Sequence, residues 1–187
     1  MQAETASEPR INPFDARDTE LILRERGWLC MQTTPEMEEW LRDAAAWLGG
    51  QAASHSADLE KAREMLTELL TLIFSYDATR LLENQENQAI MARESAREVI
   101  RELANRLLEG GELDSQRFRE IVDRLKKQFG SHGRQIFYPL RLALAGRAGE
   151  GDLDRVILLL DRAAKLPFNV AVKGTRQRML EFCAAFQ

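Results

Sequence analysis

The sequence predicts an all-α protein, a helical bundle of about eight helices. Three observations carry that expectation. Apolar residues recur at helical spacing along nearly the whole chain, capping residues and glycines bracket those segments, and strand signals are scarce. The strand candidates, Ile136 to Tyr138 and Val170 to Val172, are each too short to build a sheet. With 187 residues, 44% of them apolar and 30% charged, the chain suits one domain or two small ones and lies outside the range of disordered or fibrous chains.

The elements follow in order. Residues 1–14 read as a flexible polar tail, after which Asp15 or Thr19 caps a helix running to about Trp28. Thr34-Pro35-Glu36 is a strong helix start, with an N-cap, proline at the first helical position and acids in the first turn. Gly49-Gly50 is expected to stop that helix, in which Trp40 and Trp47 share a face. Ser56 opens a third helix, whose stripe runs through Leu59, Met65 or Leu66, Leu69, Leu70 and Ile73 to Tyr76. One long helix is expected from about Asn84 to Glu109, ended by Gly110-Gly111.

Asp114 or Ser115 caps the next, through Phe118, Ile121, Val122, Leu125 and Phe129 to Gly130. Pro139 is expected to begin a short helix ending at Gly146, Asp152 to start another towards Lys165, and Thr175 to cap the last. The seam between an N-terminal helical subdomain, 15–110, and a C-terminal one, 111–187, is placed at Glu109 to Glu112.

Several function classes are excluded. No apolar run approaches the roughly 18 residues of a membrane span, and the first fifteen residues carry no signal-peptide core, so a cytoplasmic location is expected. Cys30 and Cys183 lack metal or redox spacing and read as small buried hydrophobes; His55 and His132 read as surface residues. No catalytic residue, metal or cofactor is assigned, because acids fall mainly opposite the apolar stripes and no phosphate-binding glycine fingerprint occurs.

Charge is uneven. Residues 1–110 hold 12 Lys/Arg against 21 Asp/Glu, net −9, and residues 111–187 hold 14 against 9, net +5. Between Arg117 and Arg147 eight Lys/Arg face two acids, the asymmetry expected where one surface meets a polyanion.

The basic third contains GRQIFYPLRLALAGR, Gly133 to Arg147. If Pro139 sets the helix phase, Arg141 falls in the first turn, where the macrodipole makes a cation cost about 0.3 to 1 kcal/mol. Helix stability then gives no reason for it. Phe137, Leu140 and Leu144 follow core spacing, while Ala145, one turn beyond Arg141, is small enough to leave the neighbouring surface open. An ion pair of Arg141 with Asp152 or Glu102 is the alternative. Arg176 and Arg178 after Lys173 repeat the motif of arginines in a first turn, which reads as a solvated helix start or as a phosphate site, whereas Lys126 and Lys127 near a helix end suit the dipole and add to the field.

From Phe129 to Leu160 the chain resembles the C-terminal anticodon-binding region of bacterial-type glutamyl-tRNA synthetase. The resemblance rests on Gly133-Arg134, Phe137, Pro139-Leu140-Arg141, Ala143-Leu144, Gly146-Arg147, Leu153 and Leu158-Leu159-Leu160, and upstream on LEKAREMLTELLTLIFSY, Leu59 to Tyr76. Ala145 stands where the family usually has Thr, and Gly151 where it often has Pro. The end after Lys165 departs from the family's short terminus.

The resemblance implies a helical cage gripping the anticodon stem-loop of a glutamate-type tRNA. It implies that Arg141 meets an anticodon base and that Glu150, Gly151 and Leu153 touch the anticodon; Arg134, Arg147, Lys126, Lys127, Arg176 and Arg178 are expected from their charge to meet phosphates. The family's His-Ile-Gly-His and Lys-Met-Ser-Lys-Ser type motifs are absent here. The expected protein is therefore either the anticodon-binding portion of a glutamate-tRNA ligase or a free-standing paralogue serving a catalytic domain or another protein. Met1 and the polar tail suit the second. A helical protein-interaction scaffold that no longer binds RNA is the alternative.

Overall fold

The computed structural model describes residues 11–186 except 94, 112, 131–132 and 149–152, with the side chains of 153 and 154 also left out. Every regular element among the described residues is helical. Of the strand candidates, Ile136 to Tyr138 lies inside a helix and Val170 to Val172 is irregular. The chain divides into two units, Met1–Leu70 and Thr71–Gln187.

In the first unit, α1 (Ala16–Glu25) begins at Asp15, whose carboxylate accepts from the Arg17 and Asp18 amides while Asp18 bonds back to the Asp15 amide. Thr34 caps α2 (Pro35–Ala44), with Pro35 at its first position. Gly49-Gly50 does not stop this helix. It continues through a π-helical turn, Ala45–Gly49, into α3 (Gly50–His55).

The reason is a close crossing. A Cβ on Gly49 would lie 3.0 Å from Asn12 Oδ1 and 3.1 Å from Phe14 Cβ, so glycine here admits the incoming chain rather than ending a helix. Asn12 Nδ2 donates to the Ala45 carbonyl at 2.9 Å and Phe14 is buried, which anchors residues expected in the tail. The widened turn also shifts the helical phase, so Trp40 is buried and Trp47 only partly. Ile22, Leu23, Met37, Trp40, Leu41 and Leu48 form this core. Cys30 is exposed and Cys183 half-buried, which corrects the expectation of two buried thiols.

The division falls within α4 (Leu59–Phe74), whose first amides bond to Asp58, two residues beyond the expected Ser56 start. Next come α5 (Ala78–Glu83), capped by Asp77, and α6 (Gln85–Met91), capped by Asn84. The long helix expected over 84–109 is therefore broken before α7 (Ala96–Glu109). Met91 and Ala96 are both buried, yet five residues of continuous helix would set them about 140° apart. The break lets both face the core.

Asp114 caps α8 (Ser115–Phe129), which ends at Gly130 in the left-handed conformation. Then follow α9 (Arg134–Ala145), α10 (Leu153–Ala163) and α11 (Thr175–Ala185). The expected Asp152 start of α10 lies outside the described residues. In this unit α7 packs on α8, α9 and α11, and α11 also touches α5 and α10. The expected seam at Glu109 to Glu112 thus lies inside the second unit, between helices that pack together. Among the described residues, no helix is long and apolar enough to cross a membrane.

Candidate nucleic-acid interface

Pro139 does not begin α9; it lies inside it. The helix starts five residues earlier, after Gly133 at φ 66°, and closes at Gly146 in the left-handed conformation. At this interior position the proline ring removes one backbone bond, to the Gln135 carbonyl, and crowds that oxygen. This rephasing moves Arg141 to the middle of the helix, where the macrodipole penalty no longer applies.

The new phase sorts the side chains. Ile136, Leu140, Ala143 and Leu144 are buried, and Ala145 is fully covered, so the open surface expected there is absent. Arg134, Phe137, Tyr138 and Arg141 recur at i, i+3, i+4 and i+7 and form the partly exposed stripe. Phe137, expected in the core with Leu140 and Leu144, is instead half-buried on this outer face.

Cations gather on its rings. The Arg141 guanidinium lies 5.1 Å and Lys126 Nζ of α8 5.5 Å from the Phe137 centroid. Arg134 lies 5.9 Å from the Tyr138 ring. Such contacts are worth about 0.5 to 1 kcal/mol at partly exposed sites, and they hold flexible cations ready over flat apolar platforms. Glu102, one alternative partner for Arg141, pairs with Arg106 at 2.7 Å.

Beside Phe137 opens a cleft of about 410 Å³. Phe118, Val122 and Leu158 line it as well, together with the polar Ser115, Arg119, Asp123 and Lys126. Lys126 Nζ and Asp123 Oδ1 are 3.5 Å apart.

The other expected residues separate. Lys127 and Arg147 are exposed, the latter just past the end of α9. Arg176 is exposed too, its Nη1 3.4 Å from the Gly110 carbonyl beyond α7. Glu150 and Gly151 lie outside the described residues, as does His132; Leu153 opens α10, and its side chain is likewise outside them.

Arg178 is not a surface ligand. It is fully buried, its guanidinium 4.4 Å over the Tyr76 ring. Its Nη2 donates to Leu72 and Ile73 carbonyls at 2.8 and 2.7 Å, its Nη1 to Leu144 at 2.8 Å and its Nε to Lys173 at 2.9 Å. One arginine thus caps the last turns of both α4 and α9, where helix dipoles favour a cation. Burial draws its pKa down to about 10, still far above neutral, and pushes the Tyr76 phenol up. The Tyr76 hydroxyl donates to the Ala143 carbonyl at 2.7 Å.

The expected phosphate site at the start of α11 is filled from within. Asp161 of α10 accepts from the Thr175 amide at 2.7 Å and from its hydroxyl, so a carboxylate already satisfies the positive end of that helix. Gly174, not Thr175, holds the cap position.

Sequence reasoning missed Phe137 and Tyr138 as platforms. Their signal was present in the i, i+3, i+4, i+7 spacing from Arg134, and was hidden by taking Pro139 as the helix start.

The chain belongs to the anticodon binding domain family, whose model matches residues 23–166, and is of glutamyl-tRNA synthetase type. It is 26% identical over 140 residues to glutamate-tRNA ligase of Bacillus velezensis and 25% identical over 140 residues to that of Bacillus subtilis. Each match covers 75% of this chain and 27% of the relative. A third, from Carboxydothermus hydrogenoformans, is 30% identical over 79 residues, 42% of this chain and 16% of the relative. The chain therefore spans about a quarter of the length of the first two relatives. No solved structure matches.

Proposed function

We propose that this chain grips the anticodon stem-loop of a glutamate-type tRNA. The α9 stripe supports the reading most directly: two arginines flank two rings on the most basic stretch of a chain in the anticodon binding domain family. Sequence-specific RNA recognition works on single-stranded loops, whose splayed bases stack on aromatic rings and arginine planes. Arg141 makes the base contact, with Glu150, Gly151 and Leu153 beside it. Arg134, Lys126, Lys127 and Arg147, with Arg176 further off, meet phosphates. The location that goes with this partner is the cytoplasm.

The module lends this grip to a catalytic synthetase domain, on the same or a separate chain, or to another protein. A second reading, a protein-interaction scaffold derived from the same domain, draws on the net charge of −4, which opposes long-range attraction of RNA.

Binding separates the two. Wild type should prefer a glutamate-type tRNA transcript over an anticodon-swapped copy by about 1 to 3 kcal/mol, a magnitude taken from base contacts in DNA, and Arg141→Ala should erase that preference. Absence of binding at low salt would leave the scaffold.

A further inference from the structure

We propose that a second cleft, bounded by α5, α6, the start of α7 and the end of α11, docks a peptide of a partner protein that carries a carboxylate beside an apolar side chain. This inference goes beyond the tRNA reading and does not depend on it. The cleft, about 460 Å³, is within the range of built ligand sites. Leu82, Met91, Ala92, Ala185 and Phe186 give it an apolar lining. The break between α6 and α7 helps to form it, because Ala92 and Arg93 stand exposed in the turn there. Arg93 and Arg97 line the cleft as well. Arg97 lies in the first turn of α7, where the macrodipole disfavours a cation, so helix stability gives no reason for it. Its guanidinium is 4.9 Å from the Phe186 centroid, a contact that steadies the cation against the cleft.

Charge selects the occupant. Among the described residues both charged side chains that line the cleft are cationic and no acid lines it, so an anion is favoured and a basic segment is opposed. Guanidinium groups take carboxylates and phosphates alike, and the surroundings separate the two. Glu83, Glu86 and Glu98 are exposed on the same three helices, α5, α6 and α7. A nucleic-acid backbone, charged at every residue, would meet those acids, whereas a peptide with one or two carboxylates needs only the two arginines. The aliphatic lining and the adaptable Met91 suit a leucine- or phenylalanine-sized anchor. Ala185 and Phe186 belong to the end of the chain beyond residue 166, where the family match stops, so an element outside the shared domain completes the surface.

The test uses the full chain and three fluorescent probes: the blocked peptide Gly-Leu-Glu-Phe-Glu-Leu-Gly, the same peptide with lysine in place of glutamate, and an oligouridylate of equal length. Anisotropy should rise with the acidic peptide alone. Arg93→Glu and Arg97→Glu, at exposed positions, should keep the fold and each weaken that peptide about tenfold. Ala92→Trp, also exposed, should block the cleft. All three variants should keep any anticodon preference of wild type, and Arg141→Ala should keep the peptide. If the acidic peptide does not bind, or binds wild type and the three variants equally, the docking assignment is overturned, and the tRNA measurement stands or falls by itself. Binding of oligouridylate that Arg97→Glu abolishes would give the cleft to RNA and overturn the proposal. A wild-type dimer in light scattering that Arg97→Glu disperses would make a second copy the occupant and overturn it too.

Discussion

Arg141 and Arg178 look alike in sequence, each an arginine read as lying in the first turn of a helix, yet one is half-buried and the other fully buried. Nothing local separates them. Arg178 is buried because Tyr76, about a hundred positions earlier, supplies a ring and because two helices end against it. Removing it should be severe: Arg178→Met leaves four carbonyls without their donor, and a loss of about 3 kcal/mol or more is expected in chemical denaturation. The paired tyrosine gives a pH signature. Burial raises the Tyr76 pKa above its ordinary value of 10.0, so above pH 10 the unfolded chain loses a proton that the folded chain keeps. Stability from this group is therefore full below pH 10 and falls as pH rises beyond it. Thermal melts should show a steeper alkaline decline for wild type than for Tyr76→Phe, and no contribution from Tyr76 between pH 6 and 9.

At the scale of elements, the signals that act within four residues were readable: the Thr34 cap and the Gly130 and Gly146 stops stand where sequence placed them, and Asp15 and Asp114 are each one of the two caps it offered. Two of the misreadings were at Gly49 and Pro139, each taken as a helix boundary and each found inside a continuing helix. Gly49 sits in a continuing helix because Asn12 and Phe14 cross it. Gly49→Ala should therefore destabilise by about 1 to 3 kcal/mol, although alanine is the better helix former. Differential scanning calorimetry would show the lowered melting temperature. The start of α11 is likewise held from another helix, so Asp161→Ala should cost about 1 to 2 kcal/mol, as loss of an N-cap does. With Pro139 inside α9 rather than at its head, the candidate interface is a stripe of four side chains instead of one arginine.

For the whole molecule, the charge split was visible in sequence, and the all-helical class with it, whereas the rings under the basic residues were not. The basic face predicts salt dependence. Binding should weaken linearly on a log-log plot against salt, and Arg134→Ala or Arg147→Ala should each reduce the slope by about 0.7 while affecting matched and swapped anticodons alike. Fluorescence anisotropy across a salt series measures both. A last consequence concerns α11, which begins beyond residue 166, where the family match ends. Its arginine closes the final turns of α4 and α9 together, so those turns cannot fray independently while α11 is docked. Amide hydrogens there should exchange as one cooperative unit with α11. A fragment trimmed to the shared segment would lose that protection and, with it, the rigidity of the helix that carries Arg141.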